Sequence, residues 1–142
     1  MPDITKVDLS RYRFRKAEEM LSSAKRDMEA GDFASANNRA YYAIFHAMRA
    51  VLALDGEDFK KHSAVIARFT LNYLKPEILP KEYSKLISNA SLIRNRSDYE
   101  DFYICSVADT NTLFSGAVTF CKDIGKYLEQ RYCKEQGQRQ DC

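Results

Sequence analysis

Phe33-Ala-Ser-Ala-Asn-Asn-Arg-Ala-Tyr-Tyr-Ala-Ile-Phe-His-Ala-Met-Arg-Ala-Val-Leu-Ala-Leu54 decides the fold. Wound as an α-helix, it carries a bulky apolar face through Tyr41, Ile44, Phe45, Met48 and Leu52 and a small one through Ala36, Ala40, Ala43, Ala47 and Ala50. A helix with two apolar faces belongs at the centre of a structure, and its alanines let a neighbouring helix approach closely. This segment is expected to pack against its sequence neighbour and against a later helix.

Upstream, Ser10 is the expected N-cap of a first helix reaching about Ala30, with Ala17, Met20, Leu21, Ala24 and Met28 on its buried stripe. Gly31 ends that helix and Asp32 caps the next. Downstream, residues 55–62 form a polar connection. Val65, Ile66, Phe69 and Leu71 then predict a shorter third helix that stops before Pro76. Pro80 suits the first turn of a fourth helix that continues through Tyr83, Leu86, Ile87, Ala90 and Ile93. A fifth, from about Val107, buries Leu113, Ala117, Phe120, Ile124 and Leu128. With five glycines, three prolines and no alternating apolar pattern, the chain reads as all-α, an up-and-down bundle of four to five helices. Residues 1–134 make a single domain, and 135–142 a polar, disordered tail.

The chain's 142 residues suit one core. A formal charge of +2 gives no strong general attraction to nucleic acid or anionic lipid, so any such contact must be local. No signal-peptide pattern and no membrane-spanning apolar run is evident, and a cytoplasmic, soluble protein is expected. Cys105, Cys121, Cys133 and Cys142 form no C-x-x-C pair and are expected to be reduced, with Cys121 in the core. No metal-ligand spacing, phosphate-cradling glycine loop or nucleophile elbow appears, which argues against metal sites, the usual nucleotide hydrolases and esterases, and a bound cofactor. Gly31-Asp-Phe and the alanines after it resemble one helix of a tetratricopeptide repeat, but no second copy follows at the required spacing.

Chemistry concentrates in Leu92-Ile-Arg-Asn-Arg-Ser-Asp-Tyr99, at the end of the fourth helix. There Arg94, Ser97 and Asp98 stand at three- and four-residue spacing, as do Asn95 and Tyr99, so neighbouring strips of one helix end carry both sets. Such an end can grip a phosphate or a carboxylate; it can equally be a solvated end whose Arg and Asp pair with each other. His46, one turn after Tyr42 and three residues before Arg49, can face a polar cleft, although a lone helical His is more often structural. His62, beside Lys60 and Lys61, forms a small cationic cluster suited to a phosphate or simply a solvated basic turn.

Three blocks, Ala40-Tyr-Tyr-Ala-Ile-Phe-His-Ala-Met-Arg-Ala50, Lys60-Lys-His-Ser63 and Arg94-Asn-Arg-Ser-Asp-Tyr99, together resemble the small prokaryotic branch of the HEPN family (higher eukaryotes and prokaryotes nucleotide-binding). The resemblance spans about Leu9 to Gln130. It implies a helical bundle that commonly dimerises and is often encoded beside a minimal nucleotidyltransferase, many members being metal-independent RNases and toxins. Their signature is an Arg, a polar residue that is often Asn, and a His after four to six intervening residues. Arg94 and Asn95 match the first two, while Tyr99 stands where the His would be. A phenol titrating near 10 is a poor base at neutral pH, although it can donate a hydrogen bond to a phosphate while Arg94 or Arg96 neutralises charge.

Three readings follow. In the first, the chain binds nucleotide or RNA phosphate through Arg94, Asn95, Arg96, Asp98 and Tyr99 with Lys61, His62 and His46, as a homodimer and as the HEPN component of a toxin-antitoxin-like pair with a minimal nucleotidyltransferase. In the second it is an active metal-independent ribonuclease, with Arg94 on the scissile phosphate and Tyr99 polarising the 2′-hydroxyl. In the third it is a non-catalytic interaction module, in which Asp98 bonds Arg94 or Arg96 and Tyr99 locks the fourth helix to the second. Nine tyrosines and eight phenylalanines are many for one small core, which also favours a partner-facing surface.

Overall fold

Five α-helices and no strand make up the described part, residues 5–135, of the computed structural model. They are α1 (Lys6–Glu29), α2 (Phe33–Leu54), α3 (His62–Phe69), α4 (Tyr83–Tyr99) and α5 (Val107–Glu135). The tail expected over 135–142 lies outside the described residues, save for Glu135 at the end of α5. No helix among the described residues is long and apolar enough to cross a membrane.

The central role of α2 follows from its two apolar faces. It packs against α1, α3, α4 and α5, and all five residues of its bulky face and all five of its alanine face are buried. Asp32 caps it as expected, its carboxylate accepting from Ser35 N–H at 3.2 Å, and Gly31 supplies the positive φ of 79° that turns the chain out of α1. On α5, Leu113, Ala117, Phe120, Ile124 and Leu128 are all buried against this centre. Gly116 lets α4 and α5 meet, since a Cβ there would lie 2.5 Å from Leu86 Cδ1.

Four local expectations are corrected. The cap of α1 is Thr5, which exchanges backbone and side-chain hydrogen bonds with Asp8. Ser10 lies inside the helix, fully buried, where its hydroxyl donates to the Ala50 carbonyl at 2.7 Å and accepts from Tyr132 Oη at 2.9 Å, joining α1, α2 and α5. Pro80 precedes α4 instead of sitting in its first turn; its carbonyl accepts from the N–H of Tyr83, the first helical residue. After α3 the chain winds into one π-helical turn, Thr70–Leu74, whose wider winding leaves Leu71 exposed and turns Tyr73 and Leu74 inward. Cys133 is disulfide-bonded, contrary to the reduced state expected, because sequence spacing does not report which thiols meet in space. Cys105 and Cys121 are free thiols, and burial pushes Cys121 up to about 12.

Candidate functional site

The C-terminal end of α4 is fastened to α2 by three polar contacts. Asn37 Nδ2 donates to Ser97 Oγ at 3.0 Å, Asn38 Nδ2 to Asp98 Oδ2 at 2.9 Å, and an Arg94 terminal nitrogen to Tyr42 Oη at 2.9 Å. Arg94 Nε is also 3.3 Å from Asp98 Oδ2, close enough for an ion pair but without hydrogen-bond alignment. The apolar stripe of α4, ending at buried Ile93, sets this arrangement: once Ile87, Ala90 and Ile93 face the core, the next residue falls at the edge of the α2 contact.

Arg94 is the centre of the resulting pocket. Its side chain is 16 % exposed, and its guanidinium carbon lies 5.1, 5.4 and 5.7 Å from the ring centroids of Tyr41, Tyr42 and Tyr99. Such aromatic faces stabilise a cation where water is scarce. A second terminal nitrogen donates to Asn95 Oδ1 at 3.1 Å. Two of the five N–H donors of the guanidinium are thereby used, the buried Nε–H lies against Asp98, and one donor on each terminal nitrogen remains for a ligand.

His62, the first residue of α3, completes the pocket from the other side. Its Nδ1 is 2.9 Å from Tyr41 Oη, and its ring packs on Phe45 with centroids 4.1 Å apart and against Tyr42 at 5.6 Å. Burial, then the positive charges of Arg94 and Arg49, hold its pKa below the ordinary value, so the imidazole is neutral at pH 7. His46 stands 6.0 Å from Tyr42 on the same face of α2. Burial first, then Arg49, Lys16, Arg13 and His62, lower its pKa to about 4. Burial likewise raises the Tyr41 phenol, against the opposing pull of Arg94.

The structure thus brings Arg94, Asn95, Asp98, His62 and His46 around one seam between α2, α3 and α4. It separates Arg96, whose half-exposed side chain runs along the outside of α4 to Glu100 at 3.6 Å. Lys61, the residue before α3, makes no side-chain capping bond and is exposed. Tyr99 is 73 % exposed and touches the pocket only through its ring. Tyr42, not Tyr99, joins α4 to α2.

Tyr41, Tyr42, Asn37 and Asn38 were missed as functional residues. Their signal was faint: polar groups at positions 37, 38 and 42 interrupt an otherwise apolar helix. Among the described residues no group of three or more His, Cys, Asp and Glu could hold a metal ion.

Comparison with known proteins gives the family of the chain. The HEPN domain family model matches residues 10–130, which include every residue of the pocket. A UPF0332 protein of Thermotoga maritima is 31 % identical over 87 % of this chain and 94 % of its own length. A protein of Methanocaldococcus jannaschii whose name marks it as a candidate toxin is 37 % identical over 58 % of this chain and 62 % of its own. A UPF0332 protein of Pyrococcus horikoshii is 40 % identical over about half of each chain, 51 % in both cases. With the family model covering most of its length and a helical bundle to match, the chain belongs to the HEPN domain family.

Proposed function

We propose that the protein binds a nucleotide or RNA phosphate at Arg94, as the toxin-like member of a pair with a minimal nucleotidyltransferase. The observation that carries this reading is the state of Arg94: a cation among aromatic rings, with one carboxylate beside it and a donor still unspent on each terminal nitrogen. Names of relatives that mark them as candidate toxins support the toxin-like assignment. Isothermal titration with uridine 5′-monophosphate tests it: Arg94→Gln is expected to weaken binding by about tenfold or more, as for loss of one charged hydrogen-bonding group, with the fold retained. Unchanged affinity would sink the assignment.

A homodimer is part of the same proposal. Tyr99, Phe102 and Ile104, 73 %, 98 % and 88 % exposed, follow one another from the end of α4 into the α4–α5 connection, and the Tyr99 ring lies against Arg94, so an apolar surface there calls for cover.

The second reading, a metal-independent ribonuclease, is favoured by His62. It is a neutral imidazole against the Arg94 pocket, as a general base for the 2′-hydroxyl must be, although Tyr99 occupies the signature position. For that role Nδ1–H would donate to Tyr41 Oη and leave Nε2 as the base. Cleavage of mixed RNA in EDTA, lost in both Arg94→Ala and His62→Ala, is the expected outcome under this reading; cleavage surviving in either variant rejects it.

A further inference from the structure

The polar seam on α2 continues past the Arg94 pocket. From position 38 to 49 the residues of α2 that escape full burial are Asn38, Arg39, Tyr42, His46 and Arg49. Residues 38, 42, 46 and 49 fall on one stripe, so the central helix keeps a single open face between its neighbours.

At the far end of that stripe positive charge accumulates. An Arg49 terminal nitrogen donates to Asp58 Oδ1 at 3.1 Å, and Arg13 of α1 donates to Asp58 Oδ2 at 3.0 Å and to the Arg49 carbonyl at 3.4 Å. Lys16, one turn along α1 from Arg13, acts on His46 from the same side. Two guanidiniums therefore flank one carboxylate. Asp58 is correspondingly acidic: burial pushes its pKa up, but the Arg49 hydrogen bond and both arginine charges prevail. Two polar atoms here have no hydrogen-bond partner, Arg49 Nε and His46 Nδ1, and both are buried.

We propose that this end of the seam is a second phosphate position, so that Arg94 and Arg49 hold two phosphates of one single-stranded phosphodiester chain, with buried Arg13 bonded to Asp58 and the Arg49 carbonyl. Tyr42 and His46 lie between the two ends. Seven residues separate Tyr42 from Arg49, about 10 Å along the helix axis, farther than a single phosphate group spans. The ligand class is accordingly a strand and not a mononucleotide. A cationic groove punctuated by aromatic rings is how single strands are held without base pairing. This inference rests on the reading of Arg94 as a phosphate site, and it adds a separate set of residues.

Fluorescence anisotropy with a short labelled oligouridylate, alongside calorimetry with uridine 5′-monophosphate, tests it on the full chain. Arg49→Gln is expected to weaken the oligomer about tenfold and to lower the slope of log affinity against log salt by about 0.7, the value for one phosphate contact on a single strand, while the monophosphate changes less than twofold. Lys16→Gln, an exchange at a residue with no ion pair among the described residues, should shift the oligomer in the same direction by a smaller factor. Arg49→Lys should restore part of the affinity, and helical circular dichroism verifies that each variant is folded. A labelled oligothymidylate distinguishes RNA from DNA as the strand; a salt slope that falls in Arg49→Gln with either strand supports the second position. If the oligomer's affinity and salt slope are unchanged in Arg49→Gln and Lys16→Gln while Arg94→Gln weakens both ligands, the second position is wrong and the Arg94 site stands. If Arg94→Gln leaves both ligands unaffected, or neither ligand binds, both proposals fall.

Discussion

Arg94 and Arg96 carry the same charge two residues apart, and a helix turns the second roughly 200° from the first. That rotation sends Arg94 toward Tyr42 on α2 and Arg96 along the surface to Glu100. Sequence spacing left either residue free to face the cleft, because the angular position of α4 depends on where Ile87, Ala90 and Ile93 pack. His46 illustrates the energetic side of burial. Its pKa of about 4 lies below the ordinary 6.5, so the unfolded chain takes up a proton that the native state resists. Stability therefore rises with pH across that interval and is lost as pH falls from about 6.5 toward 4. In urea titrations at pH 7 and pH 4.5, His46→Gln is expected to lose on the order of 1–2 kcal/mol less than wild type between the two, after allowance for the ring's partial contact with solvent. An identical pH dependence in the two proteins would show that His46 does not carry the effect.

At the scale of elements, the helices announced themselves where a cap and a periodic stripe agreed. Asp32 and the two-faced pattern set α2 at Phe33–Leu54, and Val107 opens α5 as its stripe implies. Ser10 misled because a serine is as able to bridge buried helices as to cap one, and only the burial of Ala50 and Tyr132 around it distinguishes the two roles. The π-helical turn left no sequence signature, since one extra residue in a winding keeps the same composition. The α4–α5 connection carries a further cost: Phe102, almost fully exposed, holds φ at 62°, a conformation that L-residues other than glycine avoid. Relief of that strain in Phe102→Gly is expected to raise the stability of the isolated chain by about 1 kcal/mol in chemical denaturation at high dilution. If the same ring covers a partner, sedimentation velocity should show the variant dissociating at higher concentration than wild type. Lower stability and unchanged self-association would contradict both roles.

For the whole molecule, the all-α architecture was legible from periodicity, while the pocket was legible only in part. Its arginine, asparagine and histidines stood out as polar chemistry, but Tyr41 read as core because it occupies an apolar position of α2. Contacts between residues 94 and 42 and between 62 and 41 exist only after α2, α3 and α4 assemble. A net charge of +2 leaves binding to this local concentration of cations instead of a general field, so affinity should depend on one seam of the bundle. Two-dimensional NMR during titration with uridine 5′-monophosphate is the most direct test that Arg94 is a phosphate site. The expected result is that the largest shifts fall on the side-chain Nε–H of Arg94, the ring of His62 and the amides near the end of α4, and saturate together. Shifts that gather elsewhere, or a spectrum that does not move, would contradict it.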